Sequence, residues 1–249
     1  MNVSVLIPTY KRNNLLKWGL ETLTRQKFNY NTEIIILDDL VIEDIKTKQL
    51  CIKYNTTYIH SGKTKNGKDI WRVPGYAINI GIKKCKGDVI ILCCPEIYHV
   101  DNTINSLVEP FIKSKNLMSV PINAKDDKQN TFLSHIENNS FDQKIFNECS
   151  SLAKMYPFIM GISKDQLLSI GGYDEDFTGF SYDDTDLVSR LKKNGCQYVD
   201  VNCSAIHLWH PRGRSKGSNY REKHSYNKKI YNDKISIIKR NENREWGTL

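Results

Sequence analysis

Short apolar runs alternating with helical periodicity set the strongest limit on what this chain can fold into. Val3–Ile7 reads as a buried strand, and Leu16, Leu20 and Leu23 then share one helical face behind Asn13 or Asn14, either of which suits a helix cap. Glu33–Leu37 reads as a second strand and Tyr54–His60 as a third. Val89–Leu92 follows as a central strand, after a helix carrying Ala77, Ile80 and Ile82. Strands interleaved with helices in this way form a parallel sheet of the nucleotide-binding kind. The second half is more irregular. Helices are expected over Asn102–Lys115 and Lys164–Ile170, and strands over Met118–Pro121 and Tyr198–Val201. No repeat and no linker interrupts the chain, so 249 residues read as one domain able to bury a sizeable core.

Composition narrows the setting. No apolar stretch approaches the ~20 residues of a membrane helix, and Val3–Pro8 is too short and too soon followed by charge for a secretory signal. Seven cysteines without CxxC pairs fit reduced thiols, so a cytoplasmic location is expected. The net charge of +8 is concentrated after Arg212, a segment suited to a diphosphate, a nucleic acid or an anionic membrane surface. Residues 1–211 are therefore read as the catalytic domain and 212–249 as a basic loop and helix packed on it. Tyr220, Tyr226 and Tyr231, followed by Ile235, Ile237 and Ile238, argue for that packing.

The segment GGYDEDFTGFSYDDTDLVSRLKKNG, Gly171 to Gly195, carries the clearest chemical signal. Leu187, Val188 and Leu191 give helical spacing, and Gly195 sits where a left-handed stop belongs, so Asp183 and Asp184 fall at a helix N-terminus. Carboxylates there serve either as caps or as acid–base groups for a hydroxyl substrate. In an open α/β sheet, ligands bind beyond the carboxyl ends of the strands. That rule gathers Pro8, Thr9, Tyr10 and Arg12 with Asp38 and Asp39 in one crevice.

Four segments in order resemble the family 2 glycosyltransferases of the GT-A fold. They are VSVLIPTYKRNNLL (Val3–Leu16), EIIILDDL (Glu33–Leu40), RVPGYAINIGIKKCKGDVIIL (Arg72–Leu92) and the Gly-Gly-Tyr-Asp turn with its Asp183–Asp184 pair. The resemblance implies a Rossmann-like nucleotide-sugar domain with a mixed, mostly parallel central sheet, and a donor that is a UDP-sugar. It implies nucleotide contacts from Pro8, Thr9, Tyr10, Arg12, Asp38, Asp39, Arg72 and Asn79, with Arg212 and Arg214 reaching the diphosphate from a mobile loop. It further implies Asp184 as the base that deprotonates the acceptor hydroxyl, with inversion, and Asp183 as its neighbour orienting the acceptor. Two departures stand out. Leu40 and Val41 replace the Gly-Ser that usually follows the strand acids, and Cys93 and Pro95 replace the carboxylates of the metal-binding Asp-x-Asp. Glu96, one residue later, is then the expected ligand for Mn2+ or Mg2+, together with His207 or His210 after the last core strand. His99 is expected to be structural or substrate-side. The expected partners are the nucleotide-sugar and a glycan or other hydroxylated acceptor. A modified base in phage DNA is the alternative acceptor, and a catalytically silent nucleotide-sugar-binding protein is the alternative class.

Overall fold

Val3, Val5, Leu6 and Ile7 of strand β1 (Asn2–Thr9) are all at most 2% exposed, so β1 lies buried on both faces. Its alternation decides the layers. Val3, Val5 and Ile7 pack with Leu16, Leu20 and Leu23 of helix α1 (Asn13–Thr24), whereas Leu6 packs with Ala77, Ile78 and Ile82. Each such side chain contributes about 1.5–3 kcal/mol of burial. This computed structural model describes residues 1–249 except 63, 66, 67, 70–72, 154, 155 and 212–217, and omits the side chains of 64, 65, 68, 69, 218 and 219.

The first half continues with β2 (Asn31–Asp38), α2 (Ile45–Lys53), β3 (Thr57–His60), the short strands β4 (Thr64–Lys65) and β5 (Lys68–Asp69), α3 (Gly75–Lys84) and β6 (Val89–Cys93). Then come β7 (Ile97–His99), α4 (Thr103–Val108), a 3-10 turn (Glu109–Ile112), β8 (Leu117–Asp126), α5 (Thr131–Ile136), α6 (Gln143–Glu148) and β9 (Ser150–Ser151). The chain closes with β10 (Ile159–Ser163), α7 (Lys164–Ser169), α8 (Asp183–Lys193), β11 (Gln197–His207) and α9 (Ser218–Asp233). The main sheet runs β3-β2-β1-β6-β10-β8-β11-β7, with β9 beside β8, and is mixed. Strands β3, β2, β1 and β6 are mutually parallel. β10 is antiparallel to both β6 and β8, while β11 runs parallel to β8 and antiparallel to β7.

Register positions the site. Thr9 lies opposite Asp38, and Asp38 opposite His60, so three strand ends finish level. His207 is opposite both Asp126 and Ile97, which brings the last residue of β11 beside Glu96.

Several local expectations are corrected. The helix expected over Asn102–Lys115 is broken, because Pro110 lacks the amide hydrogen that an α-helix needs and the chain tightens into the 3-10 turn. The expected strands Met118–Pro121 and Tyr198–Val201 are the starts of the much longer β8 and β11. No side chain caps α1; Asn13 Nδ2 instead donates to Asp44 Oδ2 (2.9 Å), and Asp44 caps α2. Helix α8 does end as its sequence demands. Gly195 has φ +91°, its N–H reaches Lys192 O (3.0 Å), and Cys196 N–H reaches Leu191 O (2.9 Å).

Candidate active site

The level ends of β1, β2 and β3 form the first part of the site. Asp38 is 1% exposed and accepts from Leu40 N (3.1 Å), Asp44 N (2.8 Å) and Tyr58 Oη (2.6 Å), so its carboxylate is committed to shaping the loop after β2. Asp39, also buried, accepts from Ser61 Oγ (2.6 Å), and its N–H bonds Thr9 O (2.9 Å). Pro8 and Thr9 sit in the same crevice, and the Thr9 hydroxyl is buried with no hydrogen-bond partner among the described residues. Tyr10 stands at 40% exposure on the rim.

Arg12, expected beside the nucleobase, turns to the second part of the site. Its Nε donates to Glu96 Oε1 (2.7 Å), and its terminal nitrogen lies 3.2 Å from His210 Nδ1. His210 Nε2 is 3.9 Å from the same Glu96 oxygen. The His207 and His210 rings stand 5.3 Å apart, and His207 Nδ1 is 3.2 Å from Asp126 Oδ1. Burial lowers the His210 pKa, opposed by the Glu96 charge. Glu96, His207 and His210 are thus brought into one cluster with Arg12. Among the described residues, no group of three or more His, Cys, Asp or Glu side chains is arranged to hold a metal ion. His99 lies apart, buried, with Nδ1 2.6 Å from Thr103 Oγ1. Burial pulls its pKa down to about 3.

The acid pair forms the third part. Asp183 and Asp184 open α8, behind Ser181 and Tyr182, which hold consecutive positive φ values of 79° and 70°. Such a pair of non-glycine residues persists only where its surroundings enforce it. Here the enforcer is Asn227 of α9, fully buried. Its Nδ2 donates to Thr178 O (2.7 Å), Phe180 O (2.8 Å) and Ser181 O (3.0 Å), and its Oδ1 accepts from Thr178 N (3.1 Å). Burial raises the Asp184 carboxyl to about 6, against the hydrogen bond donated by Tyr173 Oη (3.1 Å). Burial, then the Asp184 charge, pushes Asp183 well above the usual carboxylate range.

Asn79, expected at the nucleotide, is instead a structural clamp. Its Nδ2 donates to Tyr173 O and Glu175 Oε1 (both 2.9 Å), and its Oδ1 accepts from Tyr173 N (2.8 Å), so it grips the Gly-Gly-Tyr-Asp turn. Asn241 grips the same turn from the other side, donating to Gly171 O (2.8 Å) and Tyr173 O (2.7 Å). Arg72, Arg212 and Arg214 lie outside the described residues.

A cleft of about 460 Å3 opens at the acid pair; Asp183, Asp184, Tyr182 and Phe158 are among its lining residues. The Phe158 ring packs on His207, 5.2 Å between centroids, so one wall residue of the cleft touches the Glu96 cluster. Sequence reading missed Asp126, Phe158 and the clamp residues Asn227 and Asn241. Only strand register and tertiary packing bring them here, although Tyr220, His224, Asn227 and Tyr231 do repeat at the spacing of one helix face.

The sequence matches the model of the family described as "Glycosyltransferase like family 2" over residues 4–230. The chain belongs to that family. A relative, the chondroitin synthase of Pasteurella multocida, is 25% identical across 96% of this chain; the chain spans only 28% of that protein's length. The structure of GalNAc-T7 with UDP, GalNAc and Mn2+ superposes with a TM-score of 0.64 at 14% identity, covering 94% of this chain and 48% of the other. A mannosyltransferase from Pyrobaculum calidifontis, in complex with GDP-Man and Mn2+, gives a TM-score of 0.58 at 14% identity, over 85% and 58% of the two chains. The α/β architecture of this family 2 chain is therefore the GT-A fold. Among the described residues, no helix is long and apolar enough to cross a membrane.

Proposed function

We propose that the chain transfers a hexose-type sugar from a UDP-sugar to a hydroxyl of a glycan acceptor, with inversion, and that Asp184 is the base. The observation that carries this reading is a buried acid pair that opens α8 and lines a cleft, one wall residue of which, Phe158, packs on His207 of the Glu96, His207 and His210 cluster. A carboxyl titrating at about 6 is ionised at neutral pH yet basic enough to accept a proton from an attacking hydroxyl. Asp184 takes that proton as the acceptor oxygen bonds to the anomeric carbon. The bond from that carbon to the diphosphate breaks, and its electron pair leaves with the nucleotide. Tyr173 Oη, donating to Asp184, fixes the carboxylate, and Asp183 beside it orients the acceptor.

The leaving diphosphate gains charge, and Arg12 is the described cation nearest the Glu96 cluster to meet it. One carboxylate and two imidazoles have the donor chemistry of a manganese or magnesium site when phosphate oxygens complete the shell, although in the arrangement described the three are not gathered to hold an ion and Arg12 sits on Glu96. Glu96 and His210, with His207, would hold the cation, and it would supply Lewis-acid neutralisation of the leaving group. Arg12 on Glu96 supplies the countercharge in the arrangement described. Donor choice follows the UDP in the GalNAc-T7 complex, with the GDP-Man of the mannosyltransferase marking the competitor. Incubation with a panel of UDP- and GDP-sugars, with manganese, magnesium or EDTA, tests the reading through release of nucleoside diphosphate. A UDP-sugar turned over in the presence of metal is expected. Failure of the whole panel, metal included, overturns it.

A further inference from the structure

Helix α9 presents an unusual inner face. Tyr220, His224, Asn227 and Tyr231 recur at helical spacing, and three of the four are rings meeting rings of the loop before the acid pair. Tyr220 stacks on Phe180 with centroids 4.1 Å apart and planes 21° apart. Tyr182 meets His224 at 5.2 Å and Tyr231 at 5.5 Å. Tyr220 and His224 also line the cleft of about 460 Å3 that holds Asp183 and Asp184, and Tyr156 lines it as well. This face combines π surface with hydroxyl, imidazole and amide groups beside the Asp183–Asp184 pair.

We propose that this cleft is a stacking subsite for one neutral pyranose ring of the acceptor, with α9 as its specificity wall. The proposal rests on the transferase reading and names the substrate class for it. A pyranose offers a face of C–H groups, which suits the negative face of an aromatic ring, and an edge of hydroxyls, which suits carboxylates and imidazole. The charge balance of the described residues favours a neutral sugar over an anionic one. Among the described residues lining the cleft, two are aspartates and none is Lys or Arg, although the chain carries a net charge of +8. A uronate, like the phosphates of a polynucleotide, would meet the two aspartates of the described lining. Asn227 makes the subsite and the base one unit, since it holds the carbonyls of Phe180 and Ser181 while its helix carries Tyr220 and His224.

The test is direct binding by calorimetry and saturation-transfer NMR, with and without UDP and manganese. The probes are methyl β-glucoside, methyl β-N-acetylglucosaminide, methyl β-glucuronide and a short oligodeoxynucleotide. At least one neutral glycoside is expected to bind in the millimolar range, and the glucuronide about 10-fold more weakly or worse. Tyr220→Ala should weaken neutral-glycoside binding about 10-fold, Tyr220→Phe should restore it, and Glu222→Ala on the exposed side of α9 should leave it unchanged. Three outcomes overturn the proposal: binding of the glucuronide or oligonucleotide as tight as the best neutral glycoside, no glycoside bound at roughly 50 mM, or Tyr220→Ala binding like wild type with an unchanged circular dichroism spectrum. Nucleoside diphosphate release reports separately on the transferase reading. Release without glycoside binding sinks only the subsite, and glycoside binding without any release sinks only the transferase.

Discussion

Asp183 and Asp184 are held in a state that favours chemistry over stability. With Asp184 at about 6, turnover should fall along an acid limb near that pH, because the protonated carboxyl accepts nothing from the acceptor. Asp184→Asn is expected to lower kcat by roughly 100-fold or more with donor affinity unchanged, as titration calorimetry with the donor nucleotide will show. The same shift has a cost to folding whose sign is fixed. A folded-state pKa above the ~3.9 of a free aspartate means the folded chain binds the extra proton. That contribution is fully present below about 3.9 and is lost as pH rises through about 6, and Asp183, raised by the same burial, carries the loss further upward. Asp183→Asn should therefore melt higher than wild type at pH 8, by about 2–4 °C for each kcal/mol relieved. An equal or lower Tm in a scanning calorimeter would show that the buried pair is not strained by its charge.

At the scale of elements, the decisive contacts belong to the segment after α9. Arg240, 3% exposed, lies 2.9 Å from Asp174 Oδ2 and 2.7 Å from Asp186 Oδ1, and Arg190 pairs with Asp186 at 2.6 Å. Lys234 and Arg244 add contacts to Asp174 and Asp176. Removing one partner of a buried ion pair strands the other, so Arg240→Ala should destabilise by about 3–5 kcal/mol in urea unfolding. Gly171 and Gly172, with φ of +74° and +65°, are locked against this segment and Asn79. An added Cβ would lie 2.0 Å from Arg240 O at the first and 2.4 Å from Asn79 Oδ1 at the second. Periodicity made β1, β2, β6, α1, α3 and α8 legible, because each buries a face with a clear repeat. It missed the three-residue β7, the strand β10 and helix α2, which are short or lack a repeat and are defined by their neighbours in the sheet.

For the molecule as a whole, the sequence picked out polar groups at element ends but misjudged several of their partners. Glu96, His207 and His210 lie together, and Asp183 and Asp184 line the neighbouring cleft whose wall residue Phe158 packs on His207. Asn79 and Asp38 were legible as polar residues, yet their hydrogen bonds go to nearby backbone and to Glu175 and Tyr58, a choice fixed only by the folded loops. A bound donor should stabilise the entire chain through the same cluster. UDP with manganese at 100 times its Kd should add about 2.7 kcal/mol, hence roughly 5–11 °C in Tm, and EDTA should remove most of it. Glu96→Gln should halve that shift or more, read in the same thermal scan.

The grip of Asn241 on Gly171 and Tyr173 also sets a timetable for biosynthesis. The clamp arrives 70 residues after the glycine turn it closes. At a translation rate of 5–20 residues per second, the turn waits about 4–14 s for its partner to be made. During that interval Asp174 and Asp186 lack Arg240, so the base-bearing helix has no fixed seat while the parallel strands upstream are already synthesised. The nascent chain therefore completes its four parallel strands before the segment that seats α8 exists.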